Sequence, residues 1–178
     1  MSSVPFYELC VTPVLFGLKN ALAALVKAQE HAKANNIPES DLLTARIIQD
    51  MRDFVYQIQL YTDVAKSIPN KLNPSIEEIS FPGNEKSFAE LVDRVQKTIT
   101  FLEGIDPKSL EGREQAEVAF SPGGGAINLK FTGVMYIWQF SHPNFWFHVT
   151  TAYDILRLKG VPLGKMDFLN GGKVMTIY

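Results

Sequence analysis

Chemistry concentrates in the stretch HPNFWFHVTTAYDILRLKG, His142–Gly160, which holds two of the chain's three histidines beside a Phe-Trp-Phe run. Imidazole exchanges protons near neutral pH and ligates divalent metals, so its neighbours decide what it does. His142 and His148 are six positions apart, which turns them about 120° from each other on a helix. They do not form an HxxxH pair. Asn144 precedes His148 by one turn and Thr151 follows it at i+3, giving a polar row with Phe145, Val149 and Ile155 nearby. Buried polar groups are rarely left unpaired, so this row needs partners from another helix. Two readings stay open. His148 is a core histidine hydrogen-bonded to a neighbouring helix, or it lines a pocket between helices as a general base or weak metal ligand.

The partners are expected from Gln57–Lys66, QIQLYTDVAK. Gln59 and Asp63 share a helix face at i, i+4, with Tyr56 on the same side, and are expected to present an amide and a carboxylate to His148. Gln57 points in a different direction from Gln59. Tyr153 and Arg157 are four apart and are expected to pair with each other or with Asp167. His31, beside Lys27 and Lys33, is expected in solvent.

These residues need helices to position them. Leu15, Leu18, Leu22, Leu25 and Val26 recur at helical spacing, predicting a first helix over Tyr7–Asn35 with Pro13 as a kink or as its true start. The stripe Leu43, Ile47, Met51, Phe54, Ile58 and Tyr61 predicts a second helix over Ser40–Leu72, capped by Asp41 or Thr44 and ended by Pro69. A polar loop follows. Asn84 or Ser87 then caps a third helix, with Phe88, Leu91, Val95 and Ile99 facing inward. From Glu111 the period becomes two: Val118 and Phe120, then Ile127, Leu129 and Phe131, around Ser121–Gly125, SPGGG. This predicts a β-hairpin whose tip is a turn. A phosphate-binding loop would need a helix and a lysine directly after the glycines. The last helix lies within Val134–Lys159, broken or kinked at Pro143 and stopped at Gly160. The tail reads as loop lying across one end of the helices.

Bulk composition narrows the function. The chain has 178 residues, 46% hydrophobic and 20% charged, with a net charge of −2; this suits one globular domain over 1–178. No basic excess is present to neutralise phosphates, so nucleic acid is not an expected partner. Cys10 is the single cysteine, which excludes an internal disulfide and a Cys-rich zinc site. Glu8 and Pro13 interrupt the N-terminal apolar residues, so neither a signal peptide nor a membrane span is expected, and the simplest address is the cytoplasm.

The chain resembles the DinB/YfiT-like proteins, and more closely a family of unknown function within that group found in bacteria and fungi. The resemblance is carried by Gln57–Lys66, by FTGVMYIWQF at Phe131–Phe140, by PNFWFHVTTAYDILR at Pro143–Arg157 and by GVPLGKMDFL at Gly160–Leu169. It implies an all-α, DinB-like four-helix bundle with a small β-hairpin between the third and fourth long helices. The wider group commonly binds a divalent metal through three histidines, one from the second helix and an HxxxH pair from the last. His148 corresponds to the second histidine of that pair, Asn144 to the first, and Gln59 or Gln57 to the histidine of the second helix. Amide oxygens are weak ligands for zinc or nickel. No tight metal or other cofactor is therefore expected, although Asp63 could help hold a divalent ion weakly. Some members of the group are metal-dependent thiol transferases or isomerases. The altered ligands keep that activity from transferring, whereas the pocket's location does transfer.

Three functions follow as expectations. The first is a protein that binds a small hydrophobic or aromatic molecule near His148. His148 would be the catalytic base, with Asn144, Gln59, Asp63, Thr151 and Tyr153 as ligand contacts. The second is a divalent-metal-dependent transferase with a degenerate site. The third is a non-catalytic dimeric interaction protein, because Phe145, Trp146, Phe147 and His148 cannot all face one core. Either a monomer or a homodimer is compatible with the sequence.

Overall fold

The computed structural model describes residues 4–122, 125 and 127–176. Helix α1 (Phe6–Cys10) is followed by α2 (Thr12–Ala34). The expected single helix restarts at Val11, and Pro13 falls in the first turn of α2, where a missing N–H breaks no helical bond. Asn36 closes this part of the chain at φ 53°, a left-handed conformation that asparagine tolerates.

The expected second helix is two helices. Helix α3 (Glu39–Leu43) ends, and α4 (Phe54–Leu72) begins eleven residues later. The segment between them turns back, with Phe54 N–H donating to the Ala45 carbonyl at 2.8 Å. Asp53 starts α4: its carboxylate accepts from Tyr56 N–H at 3.0 Å. Such a cap rewards the backbone for leaving the helix one residue earlier. Ile47, which extended the apolar stripe on paper, is exposed, as is its neighbour Ile48. Pro69 does not end α4 but lies inside its last turn.

Helix α5 (Phe88–Glu103) starts as expected at Ser87, whose hydroxyl accepts from Glu90 N–H at 3.2 Å. The Glu90 carboxylate in turn accepts from Lys86 N–H at 2.6 Å. Strands β1 (Glu117–Phe120) and β2 (Leu129–Thr132) pair antiparallel, Glu117 opposite Thr132 and Phe120 opposite Leu129. Gly123 and Gly124 of the expected turn, and Ala126 just after it, lie outside the described residues.

Helix α6 (Gly133–Tyr136) runs through a π turn, Ile137–Ser141, into α7 (His142–Leu158). Pro143, in the first turn of α7, has no N–H to return to the carbonyl four residues back, and the wider turn accommodates this. Tyr136 packs edge-on against Phe120, with ring centroids 5.8 Å apart. Gly160 stops α7 at φ 84°. The tail, expected as loop, contains helix α8 (Lys165–Asn170).

The chain is thus mostly helical, with one small antiparallel hairpin. Helix α4 packs against α5 and α7, α2 packs against the same two, and α8 lies on α2. Phe54, Ile58, Tyr61, Phe88 and Phe145 are among the fully buried side chains. Gly17 lets α2 approach Phe145 and Trp146: a Cβ there would sit 2.7 Å from the Phe145 ring. Asn20, buried on α2, holds the C-terminal segment by donating to the Leu169 carbonyl at 3.1 Å and accepting from Gly172 N–H at 2.9 Å. Among the described residues, no helix is long and apolar enough to cross a membrane.

Candidate functional site

His148 projects from the middle of α7 toward the first turns of α4. Its Nδ1 lies 2.7 Å from Gln57 Oε1. The other end of that amide is committed, because Gln57 Nε2 donates to the Arg52 carbonyl at 3.0 Å. Gln57 therefore offers an oxygen, and Nδ1 carries the proton. The neutral ring then keeps its lone pair on Nε2.

Nε2 has no protein partner among the described hydrogen bonds. It is also not sealed in, since the one fully buried, unpartnered side-chain polar atom among the described residues is the Ser141 hydroxyl. Burial of the ring pushes the His148 pKa below its ordinary value. The result is a neutral imidazole in a fixed tautomer, with a lone pair that solvent can reach.

The neighbours of His148 along α7 are mixed. Asn144, one turn earlier, is half-buried. Phe147 is 56% exposed and meets the His148 ring edge-on at 5.1 Å between centroids. Thr151 is buried, with its hydroxyl returned to the Phe147 carbonyl at 2.7 Å.

The structure separates the other expected contacts from His148. Gln59 Nε2 donates to Glu85 at 2.8 Å, and Asp63 meets Arg94 at 2.7 Å. Both belong to an ion cluster on the α5 side of α4. Arg94, 2% exposed, also donates to Glu85 at 2.7 Å and to the Thr62 hydroxyl at 2.7 Å. Lys66 extends the cluster to Glu78 at 3.2 Å. Burial alone would raise the Glu85 pKa, but the bonds from Gln59 and Arg94 outweigh it and hold the carboxyl below its usual range. The cluster ties the loop between α4 and α5 to the helical core.

Sequence reasoning passed over Arg94, although a signal was present. Arg94 lies three residues after Leu91 and four before Thr98, on the apolar stripe of α5, and a cation there demands a buried anion. Gln57, the alternative to Gln59 that the family resemblance offered, carried a similar signal: it follows Phe54 by three and precedes Tyr61 by four, on the inward stripe that Gln59 leaves.

Tyr153 faces a different space. With Asn20, Tyr61, Val149 and Phe168 it lines a narrow, mostly apolar cavity of about 30 Å³ between α2, α4, α7 and α8. A water needs about 10–15 Å³ by the same kind of measure, so the cavity has room for a water or two. Arg157 donates to the Val161 carbonyl at 3.1 Å, while Asp167 pairs with Lys27. His142 Nε2 meets the Cys10 carbonyl at 2.9 Å, which fixes it as a structural donor.

The residues near His148 do not fit a zinc-type centre. Gln57 Oε1 is engaged by Nδ1–H, and Asn144 supplies only a neutral amide. Among the described residues, no group of three or more His, Cys, Asp or Glu side chains is placed to share an ion.

Comparison with known proteins fits this architecture. Residues 6–169 match the family model described as "Domain of unknown function (DUF1993)". A solved crystal structure of a DinB family member protein from Shewanella denitrificans is 31% identical, with a TM-score of 0.82; the match covers 92% of this chain and 91% of that one. No curated protein matches the chain.

Proposed function

Since the chain belongs to the DinB-like DUF1993 family of domains of unknown function, we propose that it binds a small, weakly acidic hydrophobic or aromatic molecule against His148. In this reading α2, α4, α5 and α7 form the family's four-helix bundle, as a single domain. Nε2 of His148 accepts the ligand's proton or a hydrogen bond from it.

The observation that carries the reading is the Gln57–His148 bond, with Gln57 itself anchored on the Arg52 carbonyl. A ring held by Nδ1–H presents Nε2 at one angle, and it needs no tautomer change before accepting a proton. Once protonated, the ring still donates from Nδ1 to Gln57 Oε1, so the amide supports the cation it helps create. Burial keeps the resting ring neutral. Phe147 supplies an apolar wall for a flat ligand, and the Asn144 amide supplies a polar handle one turn away.

The test is an NMR titration of the 15N-labelled protein with phenol, imide and thiol fragments, following the His148 ring signals. At least one fragment should move them saturably, and His148→Gln should remove that binding. Fragments that leave the ring signals unmoved, or bind equally well to His148→Gln, would refute the proposal.

A further inference from the structure

A separate recess has Arg52 in its lining. The segment after α3, the first turn of α4 and the loop before α5 enclose a cleft of about 500 Å³. Its lining carries three cations, Arg46, Arg52 and Lys86, against two carboxylates, Asp53 and Glu85.

Both carboxylates are already occupied. Asp53 Oδ1 caps Tyr56 N–H, and its other oxygen stands 3.8 Å from Arg46, a loose approach for an ion pair. Glu85 spends one oxygen on Arg94 and the other on Gln59. The cations are in the opposite condition. Among the described residues, Arg52 and Lys86 have no carboxylate within ion-pair distance, and Arg46 otherwise donates only to the Gln49 carbonyl, at 3.3 Å. The Arg52 guanidinium is steadied over the Tyr56 ring, 5.1 Å from its centroid.

The cleft therefore carries positive charge that the protein leaves largely unanswered, on a chain whose net charge is −2. We propose that this cleft binds the dianionic end of a small molecule, a phosphoryl group or a pair of neighbouring carboxylates, held by Arg46, Arg52 and Lys86. Arginine forks suit the planar or tetrahedral oxygens of such groups, and Lys86 adds a mobile point charge from the opposite wall. The cleft is independent of the His148 ring, although Gln57 joins the two through the Arg52 carbonyl.

Calorimetric titration with inorganic phosphate and, separately, with malonate tests the assignment, using chloride to hold ionic strength constant. At least one of the two should bind saturably. Phosphate alone would indicate a phosphoryl ligand, and malonate alone a dicarboxylate. Arg46→Gln/Arg52→Gln should weaken binding by about tenfold or more, equivalent to about 1.4 kcal/mol. Lys97→Gln, at a surface pair with Asp93 on α5, should leave it unchanged, and so should His148→Gln. Absence of saturable binding by both anions, or equal weakening in Lys97→Gln, would overturn the assignment. Retention in His148→Gln separates its fate from that of the proton-accepting site.

Discussion

Gln57 on α4 and His148 on α7 meet at 2.7 Å, and the amide that holds the ring is itself held by the Arg52 carbonyl. The pair joins the two helices that carry the candidate site, and it fixes which ring nitrogen faces outward.

Replacing Gln57 tests that arrangement. Gln57→Leu leaves both Nδ1–H and the Arg52 carbonyl without the amide and should cost about 1–3 kcal/mol of stability. The 15N shifts of His148 should then report mixed tautomers. Gln57→Glu should instead raise the His148 pKa, because a carboxylate at that distance favours the imidazolium. Ring titration by NMR reads both results.

Arg94→Met should be severe. Glu85, whose side chain is 8% exposed, would lose its cation, and stranding one member of a buried pair costs about 3–5 kcal/mol. Adding Glu85→Gln should recover part of the loss, because it removes the orphaned charge. Urea denaturation of the single and double variants would show whether it does.

The histidines set a pH dependence. Burial lowers the pKa of both His148 and His142; in His142 the bond to Cys10 works against the shift. The unfolded chain therefore binds more protons than the folded one as pH falls past about 6.5. The stability from these neutral rings is complete above that value and is lost as pH falls through the lower folded pKa values. Thermal unfolding midpoints should drop between neutrality and about pH 5. The slope should be smaller in His148→Gln.

Gly17→Ala probes the approach of α2 to α7. The new Cβ would fall 2.7 Å from the Phe145 ring and 2.8 Å from the Trp146 ring, so both contacts must open. Overpacking of this kind costs about 1–3 kcal/mol. A variant as stable as the parent in chemical denaturation would show that the rings yield without loss.

Cys10 should be inert in the folded protein. Burial, and secondarily Glu114, pushes its thiol up to about 12, and the S–H donates to the Phe6 carbonyl. Thiol-reactive reagents should modify it only at the rate of unfolding.

Much of the fold was legible wherever local chemistry and tertiary packing agree. The Ser87 cap opens α5 as its residue type suggests, and the alternation through Val118–Phe120 and Leu129–Phe131, though not Ile127, becomes a paired hairpin. Legibility failed where a local bond competed with a long periodic pattern. Ile47 and Met51 continued the stripe of α4 on paper, but the Asp53 cap and the Phe54–Ala45 bond made a loop cheaper there. The tail looked irregular because Gly164 and Pro162 dominate it, yet the Asp167 carboxylate accepts from Gly164 N–H and opens a short helix. At the site, the sequence identified the histidine and one helix that faces it. Of the two amides that the family resemblance offered, Gln59 or Gln57, the spacing from Phe54 selects Gln57.

The π turn at Ile137–Ser141 gives this stretch slack in chain length. An α-helix advances about 100° per residue, so one residue fewer in regular α geometry sweeps almost the same arc as the wider turn. Removing one residue here, Gln139 for example, would let the backbone rewind with the two ends of the run nearly in phase. Tyr136 would keep its place against Phe120 while α7 stays anchored on α4. The same single-codon deletion inside α7 has no such slack to draw on and would dial every upstream residue to a new bearing.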